Sequence, residues 1–390
     1  MLCGTWNEKV FINIYKALQA IIVKMKVSRK MKVCIVTYDE YINIPYISKY
    51  ERLLQQYKIE YDVILWDRRN ALAKDTMPEN YFVFKSKIKK SKVSKVIPFY
   101  KWKKFTLNIL ETINYDKVIV LTTLPAILIS KFLLNRYHDM FLLDIRDFTY
   151  ENLNLYKKWV DKLVSESAMT FISSEGFKSW LSDSKKLNLT HNISNIEKEK
   201  QITQLKLNKS NLVIGFVGGI RYYKENCKII NNLKNRLNIQ MLYVGKTHAG
   251  IELEKYCEKR NIYNVSFRPA YLNEEKPSIY EDIDFINSIY GSGNQVVKTA
   301  LPNKLYDCIL FKKPIIVSTG TYLAKIVNEY NLGFDVDIDK NNLYVKLLEF
   351  VEEFDDQLFL EGCNALRNKV LQEEKYAEKK FIEFIEWDMK

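Results

Sequence analysis

Short apolar runs recur along this chain, each followed by a stretch with helical spacing. The first are Lys32–Tyr38, Tyr61–Trp66, Lys117–Leu121, Met140–Asp144 and Met169–Ile172, with helical patterns at Pro45–Tyr57, Ala126–Asn135 and Tyr156–Glu166. Strands that are apolar on both sides and alternate with helices predict a parallel sheet covered on both faces. The alternation ends near Ser182, and residues 183–211 are polar and lysine-rich, as expected of a connection. It resumes with strands expected at Leu212–Val217, Gln240–Val244, Val265–Arg268, Asp284–Ile289, Pro314–Val317 and Gly333–Val336. The last stretch, Glu373–Met389, reads as an amphipathic helix carrying Tyr376, Phe381, Phe384 and Trp387. The expected layout is an α/β chain of two αβα domains, whose ligands sit at the C-terminal ends of the strands. The boundaries read as an extension over 1–30, a first domain over 31–195, a linker over 196–211 and a second domain over 212–370. A C-terminal helix over 371–390 is expected to pack back on the first domain.

The 390 residues suit two domains. A formal net charge of +13 favours anionic partners without choosing among phosphates, lipid headgroups and nucleic acid. The six cysteines are scattered without a CxxC pair and read as reduced core thiols, and three histidines argue against a histidine-rich metal site. Lys16 and Lys24 interrupt the apolar stretch 10–27, which is too short and too charged to span a membrane. No small-residue cleavage site follows it, so no signal peptide is expected. Residues 1–30 are either an extension without a role in the fold or a basic amphipathic helix lying on a membrane.

With only 12 glycines in the chain, a pair of them is informative. Gly218 and Gly219 follow the strand at Leu212 and precede a helical pattern from about Lys224. Paired glycines let backbone approach a ligand, and the following helix start suits a phosphate. Arg221 and Lys224 add positive charge there. The alternative is a tight strand–helix turn with surface basic residues. A second element is KTALPNKLYDCILFKKPIIVSTGTYLAKIV, residues 298–327. Pro302 opens a helix-compatible stretch in which Asn303 and Lys304 can meet a phosphate or a sugar hydroxyl. Asp307 follows one turn later on the same face and can accept both hydroxyls of a ribose. The alternative is a capped helix with a solvated Asp–Lys pair.

These two elements resemble the donor-binding half of the family-four glycosyltransferases, the retaining group that includes capsule and lipopolysaccharide transferases. The family's VG-x-x-x-x-x-K stretch is matched by Val217, Gly218 and Lys224. Its later signature is matched by Asp307 at the second acid, Pro302 at an internal proline and Pro314 at the strand-opening proline. The resemblance implies a GT-B fold, two Rossmann-like αβα domains facing a central cleft. It further implies that Lys224 contacts the donor phosphates, that Asp307 holds the ribose and that backbone N–H groups near Leu301–Lys304 cap the distal phosphate. Arg221 and Lys224 then neutralise the leaving diphosphate, with no metal and no cofactor beyond a nucleotide sugar of UDP or GDP type. Three positions depart from the pattern. Thr299 stands where the first acid belongs, Gly219 stands where an arginine belongs, with Arg221 two residues on, and Tyr38–Pro45 contains no glycine.

Asp282-Ile283-Asp284 has the spacing of a metal–diphosphate motif of a different transferase fold, but it immediately precedes a buried strand and is read as structural. In the first domain Asp144, Arg146 and Asp147 follow a strand and are candidates for the acceptor side; the alternative is an Arg–Asp pair that organises the loop. His138, His191 and His248 are read as structural. Residues 85–105 interleave nine lysines with Phe99, Tyr100, Trp102 and Phe105, which suits an anionic membrane surface, or else a solvated loop. The leading expectation is sugar transfer to a lipid-linked saccharide or growing surface polysaccharide, in the cytoplasm and peripheral on the inner membrane face, with Lys85–Phe105 on the lipid and no nucleic acid bound. The alternative is a non-catalytic binding subunit, or a nucleic-acid binder that uses residues 85–105.

Overall fold

The computed structural model describes residues 31–41, 44–68, 77–87, 92–182, 184–193, 210–245 and 247–386. The expected extension 1–30, most of the linker, Trp387 and Met389 lie outside the described residues.

The strands of the first sheet are β1 (Lys32–Val36), β2 (Glu60–Asp67), β3 (Tyr81–Lys85), β4 (Lys117–Leu121), β5 (Phe141–Ile145), β6 (Met169–Ile172) and β7 (Leu187–Leu189). Those of the second are β8 (Leu212–Val217), β9 (Ile239–Val244), β10 (Val265–Arg268), β11 (Phe285–Ser288), β12 (Ile315–Ser318) and β13 (Gly333–Val336). Helices α1 (Ile47–Gln56), α2 (Lys92–Thr112), α3 (Thr123–Leu128), α4 (Ser130–Arg136) and α5 (Asn154–Glu166) accompany the first sheet. With the second come α6 (Tyr223–Leu233), α7 (His248–Glu258), α8 (Lys276–Glu281), α9 (Gln295–Thr299), α10 (Asn303–Phe311), α11 (Tyr322–Glu329), α12 (Leu343–Glu352) and α13 (Asp356–Glu386).

The strand orders are β3-β2-β1-β4-β5-β6-β7 and β10-β9-β8-β11-β12-β13. Strands pair in parallel, as in Val217↔Val244 between β8 and β9 and Val33↔Lys117 between β1 and β4. Two parallel-sheet α/β domains are therefore present, as the alternation of runs predicts. By compactness the chain divides into one unit that ends at Leu143 and takes in Glu166–Ala168, and another made of Asp144–Ser165 and Met169 onwards.

In the second unit the pleat sends neighbouring residues to opposite cores. Val217, Leu242, Val244, Ile286, Ile315 and Val317 pack on one face with Leu305, Ile309, Phe359 and Leu366. Phe216, Met241, Tyr243, Phe285 and Ile316 pack on the other with Ile229, Ile230, Leu253 and Leu347. Each large apolar side chain buried in this way contributes roughly 1.5–3 kcal/mol. This double burial is why the strands read as unbroken apolar runs.

Four elements differ from expectation. β3, an apolar run YFVFK that is only half-buried, is a strand where none was expected. β7 is a three-residue strand inside the stretch read as connection, paired with β6. The helix expected at Ala126–Asn135 is two helices broken at Ile129. The C-terminal helix begins at Asp356, where the Asp355 side chain accepts from Leu358 N, and runs unbroken to Glu386. Cys34, Cys227, Cys257, Cys308 and Cys363 are free thiols. No helix among the described residues is long and apolar enough to cross a membrane.

Candidate functional site

The strand order of the second sheet reverses direction between β8 and β11. Successive connections leave that point on opposite faces, so a crevice opens beyond the C-terminal ends of these two strands. The residues singled out in the sequence converge there.

β8 ends in Val217 and the chain turns at Gly218, whose φ is +116°, with open space where a Cβ would project. Gly218 N donates to Val244 O at 2.9 Å. Beside it Gly245 has φ +139°, and a Cβ there would lie 2.1 Å from Gly218 O. Both positions thus need glycine, one for conformation and one for conformation and space. The turn is held from beneath by Asn226, which is fully buried on α6. Its amide donates to Arg221 O at 2.7 Å and Tyr222 O at 3.1 Å, and its oxygen accepts from Tyr243 OH at 3.0 Å. Tyr222 sits in the left-handed region at the start of α6, which has no side-chain cap. The first N–H groups of the helix and the exposed Arg221 and Lys224 therefore face an uncapped, positive end.

Across the crevice Pro302 precedes α10, again without a side-chain cap. Asn303 is exposed, and its Oδ1 accepts from Asn192 Nδ2 at 2.9 Å. Lys304, one residue on, is only 5% exposed, and its Nζ has no hydrogen-bond partner. The Nζ lies 3.0 Å from the centroid of the Phe216 ring, at the end of β8, and 5.1 Å from that of Tyr290, just beyond β11. Burial pushes its pKa well below the usual lysine value, against a smaller upward pull from Asp307.

Asp307 is buried. Its Oδ1 accepts from Lys276 Nζ at 2.5 Å and its Oδ2 from Tyr280 OH at 2.8 Å. Burial, then the Asp307 charge, raises Tyr280 well above the ordinary tyrosine value, and Tyr271 is pushed up to about 12 for the same two reasons. Tyr280 is itself stacked on Phe311 at 4.4 Å. Lys276, Tyr280 and Tyr290 were not anticipated. Each comes from an element far along the chain, and no local pattern marks it. At Thr299, where an acid would stand in the resembled family, the hydroxyl donates back to Gln295 O at 2.8 Å and the carbonyl accepts from Ser174 Oγ at 2.5 Å.

Of the acceptor-side candidates, Asp144 and Arg146 form a buried bidentate pair, at 2.7 and 2.9 Å. Only Asp147 is exposed. Surrounding protein crowds its carboxyl and raises it above the usual carboxylate value, and the nearby charges of Arg221 and then Arg146 lower it part of the way back. His191 is buried between Tyr306 OH, 3.0 Å from Nδ1, and Glu373 Oε2, 2.8 Å from Nε2. This ring ties the segment after β7 to α10 and α13. Asp284 accepts from Val213 N at 2.8 Å and Asp282 from Arg268 at 2.7 Å, so the two carboxylates of that triplet serve separate partners.

No protein-family profile matches the chain, and no curated protein does. Solved structures do. A sucrose-phosphate synthase from Thermosynechococcus elongatus superposes with a TM-score of 0.68 at 12% identity, covering 90% of this chain and 100% of that one. The Anabaena protein HepE, solved in complex with UDP-glucose, gives 0.64 at 12% identity over 90% and 99%. A glycosyltransferase from Rickettsia africae gives 0.62 at 13% identity over 93% and 99%.

The fold is GT-B. At these identities the likeness is one of architecture, and it spans both sheets.

Proposed function

We propose that this GT-B protein is a glycosyltransferase whose donor, a nucleoside diphosphate sugar of UDP or GDP type, binds at the β8–β11 switch point. The observation that carries the reading is the convergence on one crevice of an open glycine turn, two uncapped helix starts, Arg221, Lys224 and the buried, unpartnered amine of Lys304. Such a set is matched to a diphosphate and to little else of similar size. Gly218 and Gly219 admit the phosphates to the backbone. Backbone N–H groups at the helix start that Pro302 opens, with Asn303 and Lys304, cap the distal phosphate, and Asp307, held by Lys276 and Tyr280, takes the ribose hydroxyls.

Transfer runs with retention and without a metal. The bond from the anomeric carbon to the phosphate oxygen breaks with its electron pair on the diphosphate, which Arg221 and Lys224 stabilise. The acceptor hydroxyl bonds to the anomeric carbon on the same face and passes its proton to the departing diphosphate. Asp147, beside Arg221, and the Asp144–Arg146 loop are assigned to the acceptor side. The test is thermal stabilisation by UDP, GDP and ADP. At 100 times its dissociation constant a nucleotide stabilises the fold by about 2.7 kcal/mol. We expect one to do so for the wild type and not for Lys224→Ala; no shift with any nucleotide at millimolar concentration and low salt overturns the reading.

The acceptor is a lipid-linked saccharide or growing surface polysaccharide, reached on the cytoplasmic leaflet. What supports this is α2, which exposes Val96, Ile97 and Tyr100 beside Lys101 and Lys104. Apolar side chains flanked by lysines on one helix suit an anionic bilayer surface.

A further inference from the structure

Lys304 is the group whose surroundings fit the free protein least well. Its amine is more than nine-tenths buried and has no acceptor. Its near neighbours at the strand ends are the faces of Phe216 and Tyr290. An ammonium carries three donors, and ring faces satisfy them only weakly. On its own helix the facing charge is Asp307, whose two oxygens already accept from Lys276 and Tyr280 of α8. From the turn after β8, Arg221 and Tyr222 act on Tyr290, whose ring centroid lies 4.9 Å from that of Tyr222 with the planes tilted by 32°. At that turn Tyr222 feels Arg221 together with the carboxylates Asp147 and Glu225, whereas the charge acting on Lys304 itself is Asp307, already paired with Lys276.

We propose that filling this site with a nucleoside diphosphate is accompanied by uptake of one proton at Lys304 Nζ, so that the amine is neutral in the free protein and an ammonium in the complex. The inference rests on the donor-site reading above and adds a property to it. In the free protein burial selects the uncharged amine. The arriving diphosphate supplies several negative charges and the missing acceptors, which reverses that preference. The proton comes from the buffer, and a neutral amine becomes an ammonium in contact with phosphate oxygen. A lysine, unlike an arginine, can make this change.

The test is calorimetric titration of UDP, GDP and ADP into the wild-type protein at pH 8.5, in buffers of different ionisation enthalpy. At that pH the terminal phosphate, with a pKa near 6, is already ionised and contributes little. The slope of observed heat against buffer ionisation enthalpy counts protons. We expect about one proton taken up by the wild type and none by Lys304→Arg, which stays charged throughout. Lys304→Met is expected to bind at least tenfold more weakly, also without uptake. Binding with zero slope in the wild type, or an unchanged slope in either variant, overturns the proposal while leaving the donor site standing. If no nucleotide binds, the donor-site reading falls and the proposal with it.

Discussion

Lys276 Nζ lies 2.5 Å from Asp307 Oδ1 and joins α8 to α10 beneath the crevice. Asp307 is 4% exposed, and Lys276 is its counter-charge inside the fold. Removing one partner strands the other. Lys276→Met is expected to destabilise the protein by about 2 kcal/mol, less than for a fully enclosed pair because the Lys276 side chain is a quarter exposed. Asp307→Asn replaces one of the two carboxylate oxygens by an amide donor and removes the charge, so on the proposed ribose role it should weaken nucleotide binding about tenfold, or 1.4 kcal/mol. Urea denaturation and nucleotide titration separate the two effects, and equal loss of both quantities in both variants would argue against a ribose contact.

Lys304 gives the opposite sign for stability. Its pKa is depressed in the folded state, so the unfolded chain binds more protons between the folded value and the ordinary lysine value. Stability should therefore rise with pH through that window and lie flat below it. Lys304→Met should stabilise the nucleotide-free protein at neutral pH by roughly 1–3 kcal/mol, the cost of an unsatisfied buried donor, and reduce the alkaline rise. Melting temperatures from pH 7 to 10 for the two proteins measure this directly.

The Asp144–Arg146 pair and Asp147 should behave differently although they are neighbours. The pair is buried and bidentate, with Arg146 also reaching His191 O at 3.4 Å. Arg146→Ala should cost about 3–5 kcal/mol of stability. Asp147→Asn, at an exposed position, should change stability by less than about 0.5 kcal/mol. If Asp147 serves the acceptor, its effect appears in transfer rate alone. A large loss of stability in Asp147→Asn would place it in the scaffold instead.

For α2, the exposed lysines are worth about 1 kcal/mol each near an anionic surface. Reversing both, Lys101→Glu with Lys104→Glu, should lower binding to vesicles containing anionic lipid by about 30-fold or more. Binding to neutral vesicles should change little. Co-sedimentation at two salt concentrations tests this, and salt-independent binding would argue against an electrostatic footing.

The inner strands were legible because burial on both faces removes polar residues from them. β4, β6 and β8 begin and end where the apolar runs do; the edge strands β10 and β13 also keep the bounds read from the sequence, although they are only partly buried. β3 was not read as a strand although YFVFK is an apolar run, and the three residues LNL of β7 are too few to stand out. α2 was hidden by its lysines, because the buried Trp102, Thr106, Ile109 and Leu110 that anchor it are diluted among charges. At the site, scarcity made Gly218 and Gly219 visible, and helix spacing put Lys304 and Asp307 on one face. What spacing could not give is which of them would be solvated. The alternative reading of a solvated Asp–Lys pair does not hold: both groups are buried, with Asp307 served by Lys276 and Lys304 set against ring faces. That outcome depends on contacts between segments tens of residues apart.

Asn226 has a further consequence. The turn between β8 and α6 takes its shape from an amide in the core, which grips the carbonyls of Arg221 and Tyr222 and is itself oriented by Tyr243. The Arg221 side chain projects from a backbone it does not hold in place, and at Gly219 an added Cβ would meet nothing beyond its chain neighbours nearer than 3.9 Å. Substitutions there can retune which anion is preferred while the loop keeps its path, so the protein can diversify its ligand at low risk to its fold. The same substitutions would be hazardous in a loop that depended on its own side chains for shape.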